Sequence, residues 1–258
     1  MKALLALAML TASALAANTD TRVFEMRTYY AAPGKLDALH ARFRDHTCKL
    51  FEKHGMTNIG YWVPIENPDN KLIYVLAFPD RAARDVAFKE FGADPDWKTA
   101  QAESEKDGKL VLKVEQKFFT ATDYSPDIKP SISTDGRVFE LRTYTTPPGK
   151  LDALHARFRD HTCELFEKHH MTNLFYWKLL PEQQKNANLF GTPETTLIYL
   201  IAHPSPETAK ASWDAFRADP VWVAAKEASE KAAGGSLTVE PGGHESVFLK
   251  ATDYSPTK

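Results

Sequence analysis

From Val23 to Tyr30 the chain reads Val-Phe-Glu-Met-Arg-Thr-Tyr-Tyr, a period of two rich in aromatic residues that predicts a strand. Pro33-Gly34 breaks it. Leu36, Leu39, Phe43, Leu50 and Phe51 then recur at helical spacing, so one amphipathic helix is expected over residues 36–54, with Gly55 as its left-handed cap. Residues 57–63 and 71–78 read as two strands around the turn-forming Glu66-Asn67-Pro68-Asp69-Asn70. Pro79-Asp80 opens a second helical region over residues 81–91, which restarts after Pro95 and runs to about Asp107. Residues 110–121 close the pattern as a last strand. The order is β-α-β-β-α-β, that of a ferredoxin-like unit.

The same pattern is then written again. Residues 22–62 return 115 positions on as residues 137–177, with 33 of 41 positions identical and Pro33 to Cys48 repeated without a break at Pro148 to Cys163. The later parts match more loosely but in step. Trp97 is answered by Trp222, and Ala-Thr-Asp-Tyr-Ser-Pro from Ala121 by the same six residues from Ala251. The offset grows from 115 to 125 to 130, so the second copy carries two insertions, near residues 181–193 and 234–243. Each copy is too long for a solenoid unit and reads as a whole domain. The expected division is residues 17–127 and 137–258, joined by a linker over 128–136.

A four-stranded sheet with both helices on one face leaves its other face bare, and that face must be covered. Two covalently linked sheets can cover each other. The expected architecture is α+β: two tandem ferredoxin-like repeats forming an intramolecular dimeric α/β barrel. Only one copy of the chain is needed to cover its own sheets, though further oligomerisation stays open.

The first residues add an address. Lys2, the apolar run from Ala3 to Leu10 and Ala14-Leu15-Ala16 match a secretory signal over residues 1–16. The apolar run falls short of the ~20 residues of a membrane span. An exported, periplasmic or secreted protein is expected. With Lys2 removed, 31 basic side chains face 34 acidic ones, which argues against nucleic acid or an anionic membrane surface as partner.

The runs V-F-E-M-R-T-Y, P-G-K-L-D-A-L-H-A-R-F, H-G-M-T-N-I-G-Y-W and D-P-D-W, with their second-copy counterparts, resemble the NIPSNAP family over nearly all of the mature chain. The resemblance implies the dimeric α/β-barrel superfamily. Its better-known animal members are mitochondrial and associated with vesicular transport and mitophagy signalling, and the secretory signal sets this chain apart from them. The second copy departs from the first at His170 for Gly55 and Phe175 for Gly60, so two sites need not be equivalent.

Candidate chemistry starts in the first strand. Alternation puts Phe24, Met26 and Thr28 on one face and Glu25, Arg27 and Tyr29 on the other. With the apolar set expected under the helices, the polar set would point into the barrel, as would Glu140, Arg142 and Tyr144. Trp62, Tyr74, Trp177 and Tyr199 complete the candidate ligand-binding residues. A buried Glu and Arg can simply pair and fix the strand, or the Arg can grip a small anionic or aromatic ligand. Tyr61 and Trp62 are adjacent, so only one of them can line a cavity.

No metal or cofactor is expected. His40 and His54 share a helix face but lie ~21 Å apart along it, and no C-x-x-C-H, phosphate loop, dinucleotide fingerprint or G-x-S-x-G is present. Cys48 and Cys163 fall at equivalent places and are expected as free thiols. The favoured function is non-catalytic binding of a small ligand or protein partner in the barrel interior. The alternatives are a cofactor-independent oxygenase or isomerase on a small aromatic substrate, or haem binding.

Overall fold

The computed structural model describes residues 20–133, 136–182 and 191–258. The expected signal segment and most of the first insertion lie outside them. In the first repeat β1 (Val23–Ala31) leads to α1 (Leu36–Arg42), a five-residue π-helix (Phe43–Thr47) and α2 (Cys48–Lys53). Next come β2 (Thr57–Pro64), β3 (Lys71–Phe78), α3 (Arg81–Ala93), α4 (Pro95–Ser104) and β4 (Val111–Ala121). The second repeat opens with β5 (Val138–Thr145), α5 (Leu151–Arg157), a π-helix (Phe158–Thr162) and α6 (Cys163–Lys168). It continues through β6 (Thr172–Leu179), β7 (Thr196–His203), α7 (Pro206–Ala218), α8 (Pro220–Ala232) and β8 (His244–Ala251).

The eight strands close into one antiparallel barrel in the order β1-β3-β2-β8-β5-β7-β6-β4. Two short seams join the repeats: Trp62 to Pro64 on β2 against β8, and Phe119 to Ala121 on β4 against β6. The Asp-Pro pairs start helices as their chemistry dictates. Asp94 and Asp219 are N-caps whose carboxylates accept the N–H of Asp96 and Val221, with Pro at the first helical position.

The faces of the first strand are the reverse of the expectation. Phe24 and Met26 lie inside the barrel with Trp62, Phe119, Phe139, Trp177 and Leu200, in a core drawn from both repeats. Glu25, Arg27 and Tyr29 lie on the helix side, as do Glu140, Arg142 and Tyr144. The reason is that both faces of each sheet are buried, so alternation alone does not say which is which. The barrel interior around Phe24 and Met26 is lined by apolar side chains, whereas the helices bring Arg84 to Glu25 and Trp213 to Glu140. The centre of the barrel is filled by large apolar side chains and is not the polar cavity that the sequence suggested.

Each remaining departure has a local cause. The long helix is continuous to Lys53 but carries a π-turn, where the hydroxyls of Thr47 and Thr162 donate to the carbonyls of Arg42 and Arg157 five residues back. His170 adopts a positive φ of 61° where Gly55 has 75°. Trp62 folds over Gly60, where an added Cβ would sit 2.1 Å from its ring. With Phe175 in that position, Trp177 stacks on Phe119 instead. The first linker residue, Ile128, is buried in the barrel core. Cys48 and Cys163 are free.

Candidate functional site

The cavity that the strand-one residues do reach lies in the second repeat, between the sheet and its helices. It has a volume of about 200 Å³ and is walled by Arg142 and Tyr144 from β5, and by Arg157, Phe158 and Thr162 from α5 and the π-helix. Trp213 and Phe216 from α7 and Trp222 and Glu230 from α8 complete the sides, and Thr238 and Glu240 from the second insertion form a roof. A further 350 Å³ recess on α7 and α8 shares Arg217, Trp222, Lys226 and Glu230 with it and is also lined by Glu227.

Glu140 organises one wall. Its Oε1 accepts from Arg142 and Ser246, both at 2.5 Å, and its Oε2 from His203 Nε2 at 2.8 Å and Trp213 Nε1 at 2.7 Å. Burial alone would raise its pKa, but these donors, led by His203, hold it at about 2. The carboxylate therefore fixes both the indole and the guanidinium that face the cavity, and Arg142 lies 4.3 Å above the Trp213 ring.

Arg157 is the other cation and it is less well served. Its side chain is 4% exposed and lies 5.1 Å over the Trp222 ring; among the described residues its carboxylate contact is Glu230 at a long 3.5 Å, and its Nε, like that of Arg142, has no partner. Burial lowers its pKa despite Glu230, whereas at Arg142 Tyr199, Tyr144 and Glu140 together outweigh burial and the pKa ends raised. Both guanidinium groups stay charged, since arginine does not lose its proton in proteins. The site thus holds a buried positive charge whose compensation is incomplete.

Of the candidate residues, the structure brings Arg142 and Tyr144 to this cavity, with Glu140 directly behind them. Tyr199 packs against Tyr144 without lining the cavity, and Trp177 lies across the sheet in the barrel. In the first repeat Glu25, Arg27, Tyr29 and Tyr74 form a closed cluster and Trp62 is again inside the barrel. Sequence reasoning missed Arg157, Trp213, Trp222, Glu230 and Glu240. Arg157 had a signal: it stands three residues after Leu154, on the buried stripe of its helix.

Among the described residues no group of three or more His, Cys, Asp or Glu is placed to hold a metal ion, and no helix is long and apolar enough to cross a membrane.

The closed barrel of two ferredoxin-like units, each with its helices outside, defines a protein of the dimeric α/β-barrel type. Its architecture is similar to that of a putative monooxygenase from Fusobacterium nucleatum, with TM-score 0.54 and 9% identity over 91% of this chain and 94% of that one. An anthrone oxidase-like protein gives TM-score 0.53 and 12% identity over 92% and 93%. These likenesses concern the fold alone. In sequence, a family model described as NIPSNAP matches residues 24–126 and again 139–256. The chain belongs to the NIPSNAP family. A Dictyostelium discoideum protein called Protein NipSnap homolog is 25% identical over 207 residues, 80% of each chain.

Proposed function

We propose that this NIPSNAP protein binds a small planar carboxylate in the second-repeat cavity, without covalent chemistry. The observation that carries the reading is the buried, under-compensated guanidinium of Arg157 among aromatic walls. An anionic group on the ligand would supply the missing acceptor, and Trp213, Trp222 and Phe158 would cover a flat apolar body. The volume of 200 Å³ is below the ~300–1,000 Å³ of sites that take drug-sized molecules, which favours a small ligand. The N-terminal address pattern supports an exported protein that meets its ligand outside the cytoplasm.

Calorimetric titration with benzoate, against neutral benzamide as control, tests the reading. Benzoate should bind and benzamide should not. Arg157→Met should weaken benzoate by about 1.5–3 kcal/mol, roughly ten- to a hundredfold, the worth of a hydrogen bond to a charged group. Equal binding of both probes, or an unaffected Arg157→Met variant, refutes it. Turnover of an aromatic substrate is the second reading, since His244 and Glu240 line the same cavity and can act as acid or base. Oxygen uptake on addition of a bound aromatic acid would decide for it.

A further inference from the structure

We infer that only the second repeat carries an open site, and that the first repeat's counterpart is closed by its own Arg84. The stoichiometric part of this inference rests on the carboxylate reading; the difference in access does not.

Three differences separate the copies, two of sequence and one of geometry. Arg84 on α3 is answered by Ala209 on α7. In the first repeat the Arg84 guanidinium grips both oxygens of Glu25 at 2.7 and 2.8 Å, shares the Gln116 carbonyl oxygen with Arg27, and lies 4.3 Å over Phe88. Arg27 is thus faced by a second cation where Arg142 faces a cavity. Second, Arg42 is bound by Glu105 at 3.0 Å and by Ser104 at 3.3 Å, while among the described residues the hydrogen bond of its counterpart Arg157 is the long one to Glu230. Third, the outer residues are exchanged: Arg217 stands for Gly92, Lys226 for Gln101, Val223 for Lys98 and Glu227 for Ala102. The roof residues Thr238 and Glu240 come from an insertion that the first copy lacks. The inner arginine has been lost, and the outer charges are rearranged without a net gain. This leaves a space beside Arg142 and Arg157 that an anion can enter.

Two measurements test this, one independent of any ligand. In a Cys48→Ser, Cys163→Ser background, Thr162→Cys and Thr47→Cys place thiols at equivalent, fully buried positions, of which only Thr162 lines the cavity. Methyl methanethiosulfonate should modify Thr162→Cys at least about tenfold faster. Equal rates overturn the inference. Benzoate titration of the full chain should give one site, lost in Arg157→Met and kept in Arg42→Met. Two sites per chain, or equal losses in the two variants, overturn it as well. If a cysteine variant does not fold, the titration decides. If labelling is asymmetric but benzoate does not bind, the one-sided opening stands and the carboxylate reading falls.

Discussion

The hydroxyl of Tyr124, three residues past the last strand of the first repeat, is hydrogen-bonded to Nδ1 of His155 in the second repeat at 2.8 Å, and Tyr254 meets His40 of the first repeat at the same distance. Beside each contact a bidentate pair crosses between the repeats, Arg159 with Asp123 and Arg44 with Asp253. The backbone N–H groups of Thr122 and Thr252 donate to the carbonyls of Tyr176 and Tyr61. The repeated Ala-Thr-Asp-Tyr-Ser-Pro is therefore a reciprocal clasp. Each repeat closes its own sheet and then seals the helix layer of the other.

A fragment ending at Asp127 should for this reason form a twofold dimer. It retains a bare sheet face and a clasp whose receptor, His40 and Arg44, is present on a second copy. Sedimentation equilibrium reads the mass. A folded, strictly monomeric half would show that neither the barrel seams nor the clasp drives association.

Protonation should loosen the clasp. Burial lowers the His155 pKa from 6.5 to about 4. A group with a depressed folded-state pKa of this kind binds more protons when unfolded, so stability is complete above pH 6.5 and is lost as the pH falls from 6.5 towards 4. His155→Gln removes the titration while keeping a hydrogen-bonding side chain. The gap in melting temperature between wild type and variant should narrow across that window. Parallel curves would show that His155 is not the titrating group.

The repeat and the element order were legible because identical runs and two clear periods survive in both copies, and the barrel followed from the need to cover a bare sheet. The orientation of β1 was not legible. Phe24 and Glu25 are both fully buried, on opposite faces, so the choice between faces depends on Arg84 and Trp213, which arrive from helices 59 and 73 residues away. The cavity was hidden for the same reason. Its roof is an insertion that looked only like a surface loop, and Arg157 sits in a run shared word for word with the closed repeat.

The two strand-one carboxylates should differ in worth. Glu25→Gln leaves Arg27 and Arg84 side by side over Phe88 with only the exposed Asp85 beside Arg84, and should cost about 3–5 kcal/mol, as for a buried pair stripped of one partner. Glu140→Gln strands one cation and keeps an acceptor for Trp213 or Ser246, so about 1.5–3 kcal/mol is expected. Urea unfolding of both variants at pH 7 measures the difference. Because Glu140 is held at about 2, its contribution is present above pH 4.5 and is lost as the pH falls from 4.5 to 2. Equal costs for the two substitutions would mean that Arg84 does not depend on Glu25.

Gly243 should control the roof of the cavity. The turn from Val239 is pinned by three backbone hydrogen bonds: Val239 N–H to Thr145 O at 2.9 Å, Gly243 N–H to Val239 O at 2.8 Å, and Thr145 N–H to Gly243 O at 2.7 Å. A Cβ on Gly243 would lie 2.1 Å from the Val239 oxygen and 2.5 Å from its nitrogen, so Gly243→Ala must open the turn that holds Glu240 over the cavity. The neighbouring Gly242 has a φ of 89° but open space around it. Gly242→Ala should therefore cost about 1 kcal/mol of backbone strain and leave benzoate affinity unchanged. Gly243→Ala should weaken benzoate by about tenfold, 1.4 kcal/mol, because the roof no longer closes over a bound ring. Calorimetric titration of the two variants side by side separates loss of the roof from general loss of stability. Unchanged affinity in Gly243→Ala would show that the insertion takes no part in holding the ligand.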